Sequence, residues 1–165
     1  MSSKIEILVP AADPALLSLD ELRALAPSLT DDQLTALGLE SSEWVASLCG
    51  VRTANGYPPT FKAETLRETF LGYPSIWGAD LVLGRKFLSG VTVLENGMAL
   101  VEGADFVVQD VQGIIERVSS GWPVAWWGVP VVVEYTAGFG YGSPPTPVPA
   151  LLKAATTDYV RLRFN

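Results

Sequence analysis

Between Leu81 and Tyr135 the chain is cut into short β-branched and aromatic runs, each closed by a glycine, asparagine or aspartate turn. This punctuation limits the fold more than any other feature. Its sharpest mark is Asn96-Gly97, set between Val91–Leu94 and Met98–Val101. A two-residue hairpin turn needs positive φ at both positions, which Asn and Gly supply at least cost, so the two runs are predicted to pair antiparallel. Leu81-Val82-Leu83 reads as a short buried strand, and Phe106–Val108, Ile114–Val118 and Val129–Tyr135 complete the set. Phe61–Phe70, rich in threonine, arginine and glutamate, suits an exposed or edge strand. Segments of this length separated by tight turns predict an antiparallel sheet or small sandwich, not a parallel α/β fold.

Helical signals flank this region. Residues 1–17 read as an extended arm, because Pro10 and Pro14 stop any helix. Ser18-Leu19-Asp20-Glu21 is a capping box, opening a short helix that Pro27 ends, and Thr30-Asp31-Asp32-Gln33 is a second. After it Leu34, Leu37, Ser41, Trp44, Val45 and Leu48 fall near helical spacing up to Gly50, with Gly38 a candidate bend. At the other end, Gly138–Val148 is too rich in glycine and proline for regular structure, and Pro149 suits the first turn of a closing helix. The expected class is α+β: N-terminal helices and a C-terminal helix packed with a central antiparallel β-rich insert of hairpins or a small sandwich. The expected organisation is a single domain, 1–165, with an arm at 1–17, helices at 18–50, the β-rich part at 60–135 and the last helix at 149–163.

Composition narrows the function classes. With 48% hydrophobic and 18% charged residues, the 165-residue chain has enough apolar material for a real core. A formal net charge of −7 argues against gripping nucleic acid through phosphate neutralisation, and against docking on an anionic membrane. No apolar run is long enough to span a bilayer, and MSSKIEILVP does not make a signal peptide. A lone cysteine, Cys49, fits synthesis in a reducing cytoplasm.

Candidate chemistry is thin. The absence of histidine removes Ser–His–Asp and Cys–His catalysis and the commonest metal ligand, so neither catalytic residue, metal nor cofactor is expected. Cys49, on the apolar side near the end of the second helix, reads as a buried structural thiol. Asp31 and Asp32 complement a helix dipole, while Asp105 and Asp110 bracket a strand as turn residues. The Gly138–Gly142 run lacks the helix N-terminus that a phosphate loop needs directly after it, since Pro144, Pro145, Pro147 and Pro149 intervene. Trp122, Trp126 and Trp127, with Tyr135 and Phe139 nearby, form a dense aromatic group. Adjacent strand residues face opposite ways, so at least one of Trp126 and Trp127 should lie outside the core. With no basic residues interleaved, a protein interface is the preferred use of this group over base stacking. Lys153, Arg161 and Arg163 make the one locally basic spot, at the end of the last helix.

The residues also carry a resemblance. Leu81–Arg85 leads into Val91-Thr92-Val93 and the Asn96-Gly97 turn. Asp105-Phe106, Gly113–Arg117 and Trp122-Pro123 follow, then Val132–Phe139, with its Tyr-Thr-Ala-Gly strand end, and Val148–Ala155, with its Val-Pro-Ala-Leu-Leu-Lys helix start. In this order they resemble the head–tail connector (adaptor) family of tailed bacteriophages and gene transfer agents, from about residue 60 to the end. The resemblance implies a structural virion protein, made in the host cytoplasm, that catalyses nothing. It implies a homo-oligomeric ring, commonly a dodecamer, under the portal protein. Such a ring extends the DNA channel without sequence-specific binding and docks a stopper or tail-completion protein. It further implies that the C-terminal segment, here Tyr159, Arg161, Arg163, Phe164 and Asn165, meets the portal. Ring assembly would give Trp122, Trp126, Trp127, Phe139 and Tyr141 a place at the subunit interface. The rival readings are a carbohydrate- or protein-binding β module using Trp122, Trp126 and Trp127, and a hydrolase using paired carboxylates.

Overall fold

A computed structural model describes residues 3–72, 78–140 and 147–164. Tyr141 and Asn165, both candidate interface residues, lie outside the described residues. The chain divides into two compact units that alternate along the sequence. One comprises Met1–Pro10, Thr53–Gly56 and Glu64–Gly138, the other Ala11–Arg52, Tyr57–Ala63 and Phe139–Asn165.

The first unit is all β. Its strands are β1 (Ser3–Val9), β2 (Glu64–Phe70), β3 (Asp80–Val82), β4 (Leu88–Glu95), β5 (Met98–Ala99), β6 (Phe106–Gln109), β7 (Ile114–Ser119), β8 (Trp122–Pro123) and β9 (Val131–Ala137). They form an antiparallel sheet in the order β1-β2-β9-β4-β5 and a second in the order β3-β7-β6, with β8 paired to β7. The Asn96-Gly97 hairpin forms as predicted: Glu95 pairs with Met98, and φ is 48° at Asn96 and 79° at Gly97. Asp105 and Asp110 flank β6, as turn residues should. Side chains from both sheets share one apolar core, including Ile5, Leu66 and Phe70 from the larger sheet and Leu81, Phe106 and Ile115 from the smaller.

Two expectations for this unit change. The arm at 1–17 is extended over Ser3–Val9, but as a strand paired with β2 along its length. The 61–70 segment is not an edge strand, because β2 lies between β1 and β9. Its charges misled the reading. Glu64 and Glu68 alternate with Leu66 and Phe70 on the buried face, where they are satisfied by partners, while Arg67 on the other face pairs with Glu134 at 2.6 Å and Glu6 at 3.7 Å.

The second unit holds α1 (Leu19–Leu25), α2 (Asp31–Leu48) and α3 (Ala150–Phe164). Both capping boxes form, Ser18 with Glu21 and Thr30 with Gln33. Leu17, Leu22, Ala26, Leu34, Leu37 and Val160 make its core. Gly38 does not break α2. A Cβ there would lie 2.7 Å from Leu22 Cδ1, so glycine serves close approach of α1 and not a bend. Its carbonyl accepts from Ser42 Oγ at 2.7 Å, and that hydroxyl in turn accepts from Leu16 N at 2.8 Å. Cys49 is exposed, correcting the expectation of a buried thiol. Ala46 is the last buried residue of α2, and its final turn, with Leu48 at 67% exposure, runs beyond the packed surface.

Candidate functional site

In the β unit, three buried or nearly buried carboxylates organise the polar interior. Glu68 accepts from Tyr135 Oη at 3.0 Å, Gly84 N at 2.8 Å and Ser3 Oγ. Glu64 pairs with Arg85 at 2.8 Å; burial pushes the Arg85 guanidinium below the usual arginine value, and Glu64 pushes it back up. The close fit extends to the backbone. Gly113 has φ +73°, and a Cβ there would lie 2.3 Å from the Arg85 carbonyl oxygen.

Glu95 is the third, and the one that shapes the surface. It ends β4 on the same face as Val93, turned inward. Its Oε1 accepts the backbone N–H groups of Trp127 and, at 3.1 Å, Gly128, and its Oε2 accepts from Arg117 Nε at 3.2 Å. Arg117 Nη1 donates to the carbonyls of Asp105 at 2.6 Å and Val118 at 2.8 Å. Next in the loop, Trp126 donates from Nε1 to the Ala79 carbonyl at 2.9 Å and fills the core at 2% exposure. Trp127 points the other way, 76% exposed, on a backbone whose N–H, with that of Gly128, is taken by Glu95. The backbone that carries this large exposed side chain is thus fixed, which lowers the backbone part of the ordering cost of a contact.

The aromatic residues singled out in the sequence therefore separate. Trp126 and Phe139, at 2% and 5% exposure, belong to the interior, whereas Trp122 and Trp127 stand in solvent at 75% and 76%. With Trp126 inside, the three tryptophans do not present one stacking platform. The adjacent pair does divide as expected, although it lies in the loop between β8 and β9 and not on a strand.

In the helical unit, the end of α3 is partly tied to α2. Tyr159 stacks on Trp44 with ring centroids 4.5 Å apart, and Arg163 bonds both Tyr159 Oη, at 2.8 Å, and the Glu40 carboxylate. The Tyr159 hydrogen bond first, then the Glu40 charge, hold the Arg163 guanidinium above the usual value. Arg161 lies 3.7 Å from Asp158. Leu162 is 85% exposed and Phe164 47%. Tyr159, Arg161, Arg163 and Phe164 thus share the last turns of α3, with the first and third engaged internally. Among the described residues no group of three or more histidine, cysteine, aspartate or glutamate side chains could hold a metal, and no helix is long and apolar enough to cross a membrane.

Glu95, Arg117, Glu64 and Glu68 were not singled out from sequence. The available signal was alternation: each of the glutamates sits two residues from a core apolar side chain on a strand.

No protein-family model matches the sequence. No curated protein matches it either. Among solved structures, the chain is similar to one described as the neck of an empty GTA (gene transfer agent) particle computed with C6 symmetry. The likeness covers 98% of this chain and 83% of that one, at 17% identity and a TM-score of 0.65. At that identity the shared property is the fold.

Proposed function

We infer that this chain is a structural component of the neck of a phage-like particle: a head–tail connector that assembles as a ring under a portal protein. The observation that carries this reading is the likeness of fold to a neck chain over 98% of the present one. The order of motifs from Leu81 to Ala155 supports it independently. In this role the protein catalyses no reaction. It extends the channel through which DNA passes and docks a stopper or tail-completion protein, and it resides in the virion after synthesis in the host cytoplasm. A heterologous contact repeated around a ring accounts for exposed Trp122 and Trp127 without a small-molecule ligand. The C-terminal segment, Tyr159, Arg161, Arg163, Phe164 and Asn165, is assigned to the portal; in the last turns of α3, Leu162 and Phe164 supply exposed apolar surface. A net charge of −7 suits a conduit, since an acidic bore repels phosphate and lets DNA slide.

Native mass spectrometry of the protein, alone and mixed with its cognate portal, tests the reading. A discrete high-order ring, or a complex with one copy per portal subunit, is expected. A protein that stays monomeric and ignores the portal at high concentration would refute it.

A further inference from the structure

A ring made of one kind of subunit needs two unlike patches that fit each other. The β unit carries an obvious projection, Trp127. The helical unit carries a small depression that suits it. It is a cavity of about 200 Å³ lined by Pro14, Leu39, Glu43, Pro58 and Pro59. Thr60 Oγ1 donates to the Pro14 carbonyl at 3.3 Å, tying the segment after Pro58 and Pro59 to Pro14. The proline rings fix φ, so the depression is formed before anything enters it.

We propose that Trp127 of one copy docks into the Pro14–Leu39–Glu43–Pro58–Pro59 depression of the next, head to tail. The inference rests on the ring reading and supplies its contact. Size is the first argument. A cavity of about 150 Å³ accommodates benzene, so about 200 Å³ suits the larger indole, while small-molecule ligand sites start at about 300 Å³. Chemistry is the second. Proline rings and Leu39 offer apolar faces to the two sides of the indole. The indole N–H is a donor only, and the Glu43 carboxylate in the lining is an acceptor. Charge is the third. Copies of a chain carrying −7 repel one another, so the contact between them is best made by neutral groups. Trp127, the three prolines and Leu39 are neutral, and the only charge in the lining, Glu43, is an acceptor that can take a donor. Preorganisation is the fourth, because Glu95 holds the Trp127 backbone and Thr60 braces the depression.

The test uses two exposed-site variants of the full chain, followed by sedimentation velocity and native mass spectrometry up to about millimolar concentration. Trp127→Ala removes the projection and leaves the depression intact. Leu39→Arg, at a position 39% exposed, blocks the depression and leaves the projection. Wild type should assemble, and each variant should self-associate at least about thirtyfold more weakly, the loss of one interface hot spot. Mixed together, the two variants should form 1:1 dimers and nothing larger, because only one productive contact survives in the pair. Leu71→Ala, an exposed apolar position of the β unit at 68%, should assemble as wild type does, and matching melting curves show that all variants are folded. Assembly of Trp127→Ala or Leu39→Arg at wild-type strength would overturn this contact and leave the ring reading standing. So would a mixture that never pairs. A wild type that stays monomeric throughout would overturn self-docking, and the portal mixture would then decide the ring reading separately.

Discussion

Glu95→Ala removes one carboxylate that three donors share. Oε1 serves the N–H groups of Trp127 and Gly128, and Oε2 serves Arg117, with the two charged side chains only 5% and 11% exposed. Leaving a buried donor unsatisfied costs about 1–3 kcal/mol. Removing one partner of a buried ion pair costs about 3–5 kcal/mol. The terms overlap, since Arg117 keeps two carbonyl acceptors and an ion pair with Asp105 at 3.7 Å. A net loss of about 3 kcal/mol follows, the low end of the buried-pair range. At roughly 2–4 °C per kcal/mol for a chain of this size, the melting midpoint should fall by about 6–12 °C. Glu95→Gln separates the two jobs. Its amide oxygen can replace Oε1 and keep both loop N–H groups, while its NH2 faces Arg117 donor to donor. The glutamine variant should therefore be destabilised but retain slow hydrogen exchange at the Trp127 amide, whereas the alanine variant loses that protection. Thermal melts by near-ultraviolet circular dichroism, with amide exchange by NMR, provide both readouts. An alanine variant that melts within about 2 °C of wild type, or equal Trp127 exchange in the two variants, would refute the reasoning.

Three further outcomes are expected. Gly113→Ala combines a left-handed φ of +73° with a Cβ 2.3 Å from the Arg85 carbonyl oxygen. Strain of about 1–2 kcal/mol and overpacking of about 1–3 kcal/mol should shift the urea midpoint of the β unit strongly, and an unchanged midpoint would contradict the close approach. Thr30→Ala deletes the cap of α2 and should cost about 1 kcal/mol, with Thr30→Ser restoring most of it in the same denaturation series. The Glu21 carboxyl is held below its ordinary 4.5 by the Ser18 N–H first and Lys153 next. A depressed carboxylate gives its full stabilisation above the ordinary value and loses it as pH falls through the lower, folded value. The melting midpoints of wild type and Glu21→Gln should therefore differ near neutrality and converge on acidification below about 4.5; parallel curves would contradict the coupling.

Local signals were legible because their physics is local. Both capping boxes, the Pro27 stop and the Asn96-Gly97 turn each rest on a few adjacent residues, and all appear where the spacing puts them. The α+β class and the antiparallel pairing followed from segment lengths and turns. What composition concealed was position within the sheet. Nothing in residues 61–70 alone says that β9, more than sixty positions later, will cover β2 on the side away from β1. Gly38 was misread for a related reason: a glycine in a helix signals weakness locally, and only the approach of Leu22 reveals its use. Cys49 followed the apolar stripe of α2 in sequence, but the stripe outlasts the surface it packs on.

The buried carboxylates mark the same boundary in the candidate site. Glu95 alternates with Val93, and Arg117 alternates with Ile115, so each was assignable to an inward face; their pairing, between positions 22 apart, was not. Stability alone does not explain such a pair, since apolar residues of similar volume often serve a core as well or better. A carboxylate does something a methyl group cannot, which is to take backbone N–H groups of an irregular loop and fix where that loop runs. Glu95 does this at Trp127 and Gly128, turning one tryptophan into the core and holding its neighbour out in solvent. The buried charge is therefore best understood through the surface it shapes.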